Sequence, residues 1–359
     1  MTLSALRAEF PVLERLAYLN AGTDGPLSAS AVTAAREEME RELADGRTQA
    51  HFARRTELND ALRVSYASVL GCDTADVALT TCTTEGIAQV IDGLRLGRGD
   101  EILTSDEEHP GLLGALGAAR QLHGVEVREV AFEDLASGVG PNTRLVACSH
   151  VSWITGKLAP AELAELDLPV LLDGAQGVGA VPTDVRALRC AAYAGAGQKW
   201  LCGPDGTGML YLTAELRERL AVTRRGYPNL ADPMAGLDAH VHDDARRFDA
   251  PSLSAEAVAC ALAGIRVLEA AGWDAVHERS RTLAATLAER LDERGREPTP
   301  RGPSTLVSFP SDDPEAERDA LAQAGVVVRN IPERPWLRAS VGAWNDEGDL
   351  DRLLSALRE

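Results

Sequence analysis

The sequence predicts an α/β protein in which a mostly parallel central sheet, covered on both faces, is followed by a smaller α+β domain. Three observations predict it. Short apolar runs alternate with helix-patterned segments from about residue 70 to 212, the rhythm of βα units. After about residue 235 the alternation gives way to two long helical stretches and then short strands. The 359 residues, 45% of them apolar, supply material for two cores rather than one.

Residues 1–15 read as an N-terminal segment packing with the small domain, and 16–235 as the large domain. Within the latter, the turn AGTDGPLS after Asn20 leads into a helix over 30–44, capped by Ser28 or Ser30. A second helical pattern covers 57–70. Strands are expected at 77–80, 101–103, 125–130, 144–149, 169–172, 191–194 and 208–212, with helices at 85–94, 111–123 and 161–166 between them. The small domain, 236–359, shows helical stretches at 254–269 and 273–294, a strand at 305–309 and a helix at 313–323. Strands at 326–329 and 337–341 and a helix from Glu347 complete it.

Charge narrows the function. With 36 basic against 55 acidic residues the net charge is -19, which repels nucleic-acid backbones and anionic lipid. The opening MTLSALRAEFPVLERL carries charges where a secretory apolar region would sit, and no run approaches the roughly 20 apolar residues of a membrane helix. A cytoplasmic location is expected, without nucleic-acid or membrane partners. Six cysteines without CxxC spacing or a nearby His cluster predict neither a disulfide framework nor a metal site.

Among the 36 basic residues only two are lysine, Lys157 and Lys199. Arginine stays protonated, whereas lysine can lose its proton and attack a carbonyl, so a lysine kept in an arginine-rich chain draws attention. Lys199 lies in AGAGQKWLCGPDGTGMLY, where glycines admit close backbone approach and an apolar setting lowers an amine's pKa. Ligands of open α/β sheets bind beyond the carboxyl ends of the strands, and the other strand ends carry matching groups. TTCTTEGIAQ runs hydroxyls into a helix start, where Thr83 and Thr84 serve either as an ordinary cap or as a phosphate cradle. SDEEHPG places His109 before a Pro-Gly turn, and ACSHVSWITG ends an apolar strand in polar and aromatic groups. In LPVLLDGAQGVGA, Asp173 either meets a buried cation or stands at an exposed loop tip, and Gln176 can add a directional hydrogen bond. A phosphate cradle, a buried acid and a desolvated amine are what pyridoxal 5'-phosphate needs.

With these residues in place, the sequence resembles the fold-type I pyridoxal-phosphate enzymes of the class V aminotransferase and cysteine desulfurase group, over nearly its whole length. The likeness is strongest to the L-cysteine/cystine C–S lyases, carried by DEEHPGLLGAL, SHVSWITGKLAP, LLDGAQGVGA, GQKWLCGPDGTGMLYL and RRFDAPSLS. The resemblance implies that Lys199 is the Schiff-base lysine, that Asp173 pairs with the pyridinium nitrogen, and that Gln176 contacts the ring hydroxyl. It implies that His109 stacks on the cofactor and that Thr83 and Thr84 hold its phosphate. Ser252 would reach the phosphate of the partner subunit, which makes a homodimer the expected assembly. Arg338 matches the clamp for the substrate α-carboxylate, while Asn20, Gly22, Trp153 and Tyr227 line the substrate side.

Two departures stand out. Gln198 occupies the usual place of a histidine and Ala196 that of a Ser or Thr, both normally cofactor contacts. The stretch VVVRNIPERPWLRAS lacks the persulfide-accepting cysteine of desulfurases, which disfavours sulfur relay. The expected activity is β-elimination on a cysteine- or cystine-like amino acid, giving pyruvate, ammonia and a sulfur product. The alternatives are a class V aminotransferase, an amino-acid epimerase, or a scaffold that kept the fold without catalysis.

Overall fold

Ser28, rather than Ser30, starts the first long helix: its Oγ accepts the Ala31 N–H at 3.1 Å while Ser30 turns to Glu9. The computed structural model describes residues 1–357. Its helices are α1 (Leu3–Ala8), α2 (Ala29–Asp45), α3 (Gln49–Leu70), α4 (Thr83–Leu94), α5 (Pro110–His123), α6 (Ala214–Arg219), α7 (Ala255–Ala271), α8 (Trp273–Asp292), α9 (Pro314–Gln323) and α10 (Glu347–Ala356). The first strands are β1 (Ala17–Tyr18), β2 (Val77–Thr80), β3 (Glu101–Ser105), β4 (Glu126–Val130), β5 (Thr143–Ser149) and β6 (Val170–Asp173). They are followed by β7 (Ala192–Ala196), β8 (Gly208–Leu212), β9 (Leu306–Pro310), β10 (Val326–Val327), β11 (Arg329–Ile331) and β12 (Trp336–Ser340).

Seven strands form the central sheet in the order β2-β8-β7-β6-β5-β3-β4. Only β8 runs against its neighbours, so the sheet is mostly parallel, as the alternating pattern predicts. Neighbouring residues of β6 show why its run is uniformly apolar. Leu171 belongs to the buried cluster that holds Ile87, Leu112 and Leu116 of α4 and α5, and Leu172 to the cluster on the opposite face that holds Leu62, Tyr66 and Leu262. Both faces are covered, so neither parity can be polar. The β2 edge is closed by residues 245–250: Ala250 N–H reaches Leu79 O at 2.7 Å, and Asp249 accepts from Leu79 N–H and from Arg63.

The smaller part is a three-stranded antiparallel sheet, β11-β12-β9, backed by α8, α9 and α10. Beside it β1 pairs in parallel with β10, so Ala17 and Leu19 lie in the core that holds Leu287, Val307 and Leu350. Ala255 to Ile265 of α7, by contrast, pack under the seven-stranded sheet. Between these two cores lies another cluster, in which Val267 and Leu268 at the end of α7 and Val276 at the start of α8 are grouped with Phe10, Trp200, Leu306 and Trp344, so the break at Gly272 falls inside it.

Three element expectations need correction. Helix α3 starts at Gln49 rather than residue 57, because its first turns are polar and carry no apolar stripe. Residues 161–166 form a short 3₁₀ turn, Ala161–Glu165, rather than a helix. The single strand expected at 326–329 is two, since the chain leaves β1 after Val327 and pairs with β12 from Arg329.

Candidate active site

Because β2, β3, β5, β6 and β7 run the same way, the loops leaving their carboxyl ends share one edge of the sheet. Thr83 opens α4 after β2, His109 precedes α5 after β3, and Trp153 follows β5. Asp173 ends β6, and Lys199 follows β7.

Lys199 and Asp173 form the electrostatic centre. The Asp173 carboxylate is buried and accepts the Ala175 N–H at 2.9 Å. Burial raises its pKa above the ordinary range, and the Lys199 charge opposes that rise. Burial likewise pulls the Lys199 amine down to about 8, against the attraction of Asp173 and with help from Arg338. Such an amine keeps a reactive neutral fraction near neutral pH. The lysine segment is held from the other side by the turn at 20–25. Gly25 N–H donates to Gln198 O at 2.8 Å, and a Cβ at Gly25 would fall 2.0 Å from the Lys199 carbonyl oxygen. Gln176 joins the two: its Nε2 donates to Gly22 O at 2.6 Å, and its Oε1 accepts the Trp200 indole N–H at 3.0 Å. That pairing fixes the amide's orientation and leaves one Nε2 proton for a ligand.

At one end of this centre lies an anion cradle. Cys82 precedes α4 and offers no side-chain cap to its first N–H groups. Thr83 Oγ1 is buried without a partner, and Thr84 is exposed in the same first turn. Unfilled helix N–H groups, their dipole and two hydroxyls favour a phosphate.

At the other end are two arginines. Arg338 is fully buried on β12; one Nη donates to Trp153 O at 2.6 Å, while Nε and the other Nη have no partner. Burial pulls its pKa down to about 9, and the neighbouring Arg329 adds to the effect. Arg329 faces Arg338 across the β11–β12 register, lies 5.5 Å from the Trp153 ring centre, and donates to Thr23 Oγ1 at 3.4 Å. A buried cation lacking a counter-charge is costly unless an anion arrives to meet it. Gly22 leaves room for that anion: a Cβ there would sit 2.8 Å from Ser340 Oγ, 2.9 Å from Gln176 Oε1 and 3.0 Å from an Arg338 Nη.

His109 accepts the Gly111 N–H on Nδ1 at 3.0 Å, so its neutral ring carries the proton on Nε2. Burial and the charges of Lys199, Arg329 and Arg338 pull its pKa to about 4, which keeps it neutral at physiological pH. Its ring meets Trp153 edge-on, with centres 5.1 Å apart.

The fold therefore draws together Lys199, Asp173, Gln176, Gln198, Thr83, Thr84, His109, Trp153, Gly22 and Arg338. Asn20 lies on the same turn as Gly22, its Oδ1 accepting the Thr23 hydroxyl at 2.8 Å. Two expected residues stand apart within the chain. Ser252 is exposed, with its Oγ 3.4 Å from Arg55, and Tyr227 is 76% exposed. Sequence reasoning missed Arg329 and Trp200. In VVVRNIPERPWLRAS two short apolar runs flank a turn and each carries one arginine, a hairpin signal that places both cations on facing strands.

Residues 17–353 match the family described as Aminotransferase class-V, and the chain belongs to that family. Its fold is similar to C-DES, described as a cystine C–S lyase and solved with cysteine persulfide: TM-score 0.91, 27% identity, 96% of this chain and 98% of that one. A C-DES mutant with glycine covalently linked to its PLP cofactor superposes with a TM-score of 0.92 at 27% identity, covering 97% and 98%. Among curated relatives, an isopenicillin N epimerase of Streptomyces clavuligerus is 29% identical, covering 94% of this chain and 93% of that one. A probable cysteine desulfurase 2 of Mycobacterium leprae is 27% identical, covering 99% and 96%.

The residues present fit pyridoxal 5'-phosphate. The cradle at α4 has unpaired donors for the phosphate, Lys199 supplies an amine for the aldehyde, and Asp173 supplies a buried negative charge. Gln198 sets an amide directly before Lys199, with its carbonyl oxygen unpartnered.

Proposed function

We propose that this chain is a pyridoxal-phosphate-dependent carbon–sulfur lyase that acts by β-elimination on cysteine- or cystine-like amino acids. The products are pyruvate, ammonia and a sulfur compound. The observation that carries the reading is Arg338, a fully buried guanidinium with two unpaired nitrogens, set opposite the Lys199–Asp173 pair.

Each residue has a separable task. Arg338 offers parallel N–H groups to a carboxylate, a geometry that fixes the orientation of an α-amino acid. When bound, pyridoxal phosphate supplies an electron-withdrawing ring that acidifies the substrate Cα–H and allows a β-substituent to leave. Lys199, a buried amine whose pKa burial pulls down to about 8, would take that proton and return one to the departing sulfur. Asp173, buried and oriented by the Ala175 N–H, would supply the carboxylate that pairs with a ring cation. His109 and Trp153, packed edge to face, line one side with neutral aromatic surface.

Arg329 favours a substrate with a second acidic group. It stands beside Arg338 over the Trp153 ring, and among the described residues no carboxylate lies within ion-pair distance of either guanidinium. Cystine, with a carboxylate at each end, satisfies both cations. A homodimer, in which Ser252 completes the neighbouring phosphate site, is part of the same proposal.

The test is to incubate the pyridoxal-phosphate-loaded protein with L-cystine and L-cysteine, without any keto acid, and to assay pyruvate and released sulfur. Pyruvate formation, faster with cystine, is expected. Amino transfer that needs a keto-acid acceptor would make it an aminotransferase; Cα inversion without pyruvate would make it an epimerase.

A further inference from the structure

The acidic run before His109 performs a task that the lyase reading does not assign. Glu107 reaches across from the end of β3 to the turn at 152–157, and one carboxylate oxygen, Oε2, accepts both the Ser152 and the Thr155 hydroxyls, the latter at 2.6 Å. Neither hydroxyl is free to turn elsewhere. Ser152 Oγ already accepts the N–H groups of Ile154 and Thr155 at 3.2 and 3.1 Å, and Thr155 Oγ1 accepts that of Lys157 at 3.3 Å. Each must therefore send its single proton to Glu107. The other oxygen, Oε1, lies 3.4 Å from the ammonium of Lys157, the second of the chain's two lysines.

This turn carries Trp153, whose carbonyl is the only partner of Arg338 among the described residues and whose ring lies between His109 and Arg329. The small domain grips the same turn from its other side, through Ser304 Oγ to Gly156 O at 2.7 Å and Ser308 Oγ to Ile154 O. We propose that Glu107 is a positioning residue for substrate recognition: by fixing the turn at 152–157 it aims the Trp153 carbonyl, and through it the free edge of Arg338, at the substrate carboxylate. The inference rests on the reading of Arg338 as the carboxylate's holder.

The experiment measures binding, not turnover. Glycine, which has no β-carbon and cannot eliminate, and methylamine, which lacks the carboxylate, are titrated into the pyridoxal-phosphate-loaded enzyme by visible absorbance. Wild-type enzyme should bind glycine more tightly than methylamine. Glu107→Ala should weaken glycine binding by about tenfold and methylamine binding by less than about twofold. Glu107→Gln, which keeps an acceptor oxygen for both hydroxyls, should recover most of the loss, and Thr155→Val, which removes one donor, should fall between. If Glu107→Ala does not fold, the glutamine and valine variants carry the same comparison. Equal weakening of both ligands, or undisturbed glycine binding, overturns the role of Glu107 and leaves Arg338 as it stands. A wild-type enzyme indifferent to the carboxylate overturns both.

Discussion

Gly22 shows how a missing side chain serves the site. Substituting alanine forces a methyl group against Ser340, Gln176 and Arg338, all within 3.0 Å of its position. Gly22→Ala should therefore keep the fold and raise the KM for the amino-acid substrate about tenfold or more, measured by steady-state pyruvate release. Arg338 gives the complementary case. As a buried cation with no counter-charge it costs stability in the free protein, so Arg338→Met should leave Tm unchanged or higher while KM rises about 100-fold. A lower Tm with unchanged KM would contradict that account. At this scale the sequence was legible where a residue type was rare or out of place. Lys199 stood out among arginines and Asp173 after an apolar run, and both lie at the centre of the site. Arg329 was illegible because it is one arginine among many, and only its cross-strand pairing with Arg338 distinguishes it.

At the scale of elements, the seven strands of the main sheet could be read to within one or two residues, the inner ones because burial on both faces makes them short apolar runs and the half-exposed edge strand β4 because its valines alternate with charged residues. The start of α3 and the division between β10 and β11 could not, since one depends on polar turns and the other on a change of pairing partner. The segment joining β3 to α5 holds more than its histidine. Beside Glu107, Glu108 is buried between Ser105 and Ser149, accepting the Ser149 N–H at 2.8 Å, and burial raises its pKa to about 7. A carboxyl whose pKa is raised from 4.5 in the folded state stabilises most below the unfolded value, and that stability is lost as pH climbs through about 7. The Tm of Glu108→Gln relative to wild type should accordingly increase by about 2 °C or more between pH 5 and pH 8, followed by calorimetry. A difference that shrinks with pH would show that the carboxylate is held charged.

Over the whole molecule, the alternating and then changing rhythm of the sequence led to the expectation of a large and a small domain with a boundary near residue 235. The first turns of α7, beyond the expected boundary near residue 235, share the core of the large sheet, while its last turn and the start of α8 share a separate cluster with Trp200 and Trp344. Apolar periodicity marks a helix's buried face without naming the core it faces. Among the described residues no helix is long and apolar enough to cross a membrane. Ser252 is exposed beside Arg55, two residues beyond the segment that closes the β2 edge. If the homodimer proposal holds, light scattering will give a mass twice 38.2 kDa, and Ser252→Ala will lower cofactor affinity without changing that mass. A fully active monomer would contradict it.

The scarcity of lysine makes the most direct test a clean one. Loaded with pyridoxal phosphate, reduced with borohydride and digested, the protein should yield a phosphopyridoxyl group on the peptide containing Lys199 and none on that containing Lys157. A label on Lys157 alone, or on neither lysine, would contradict the assignment of Lys199 as the reactive amine and the active site built around it.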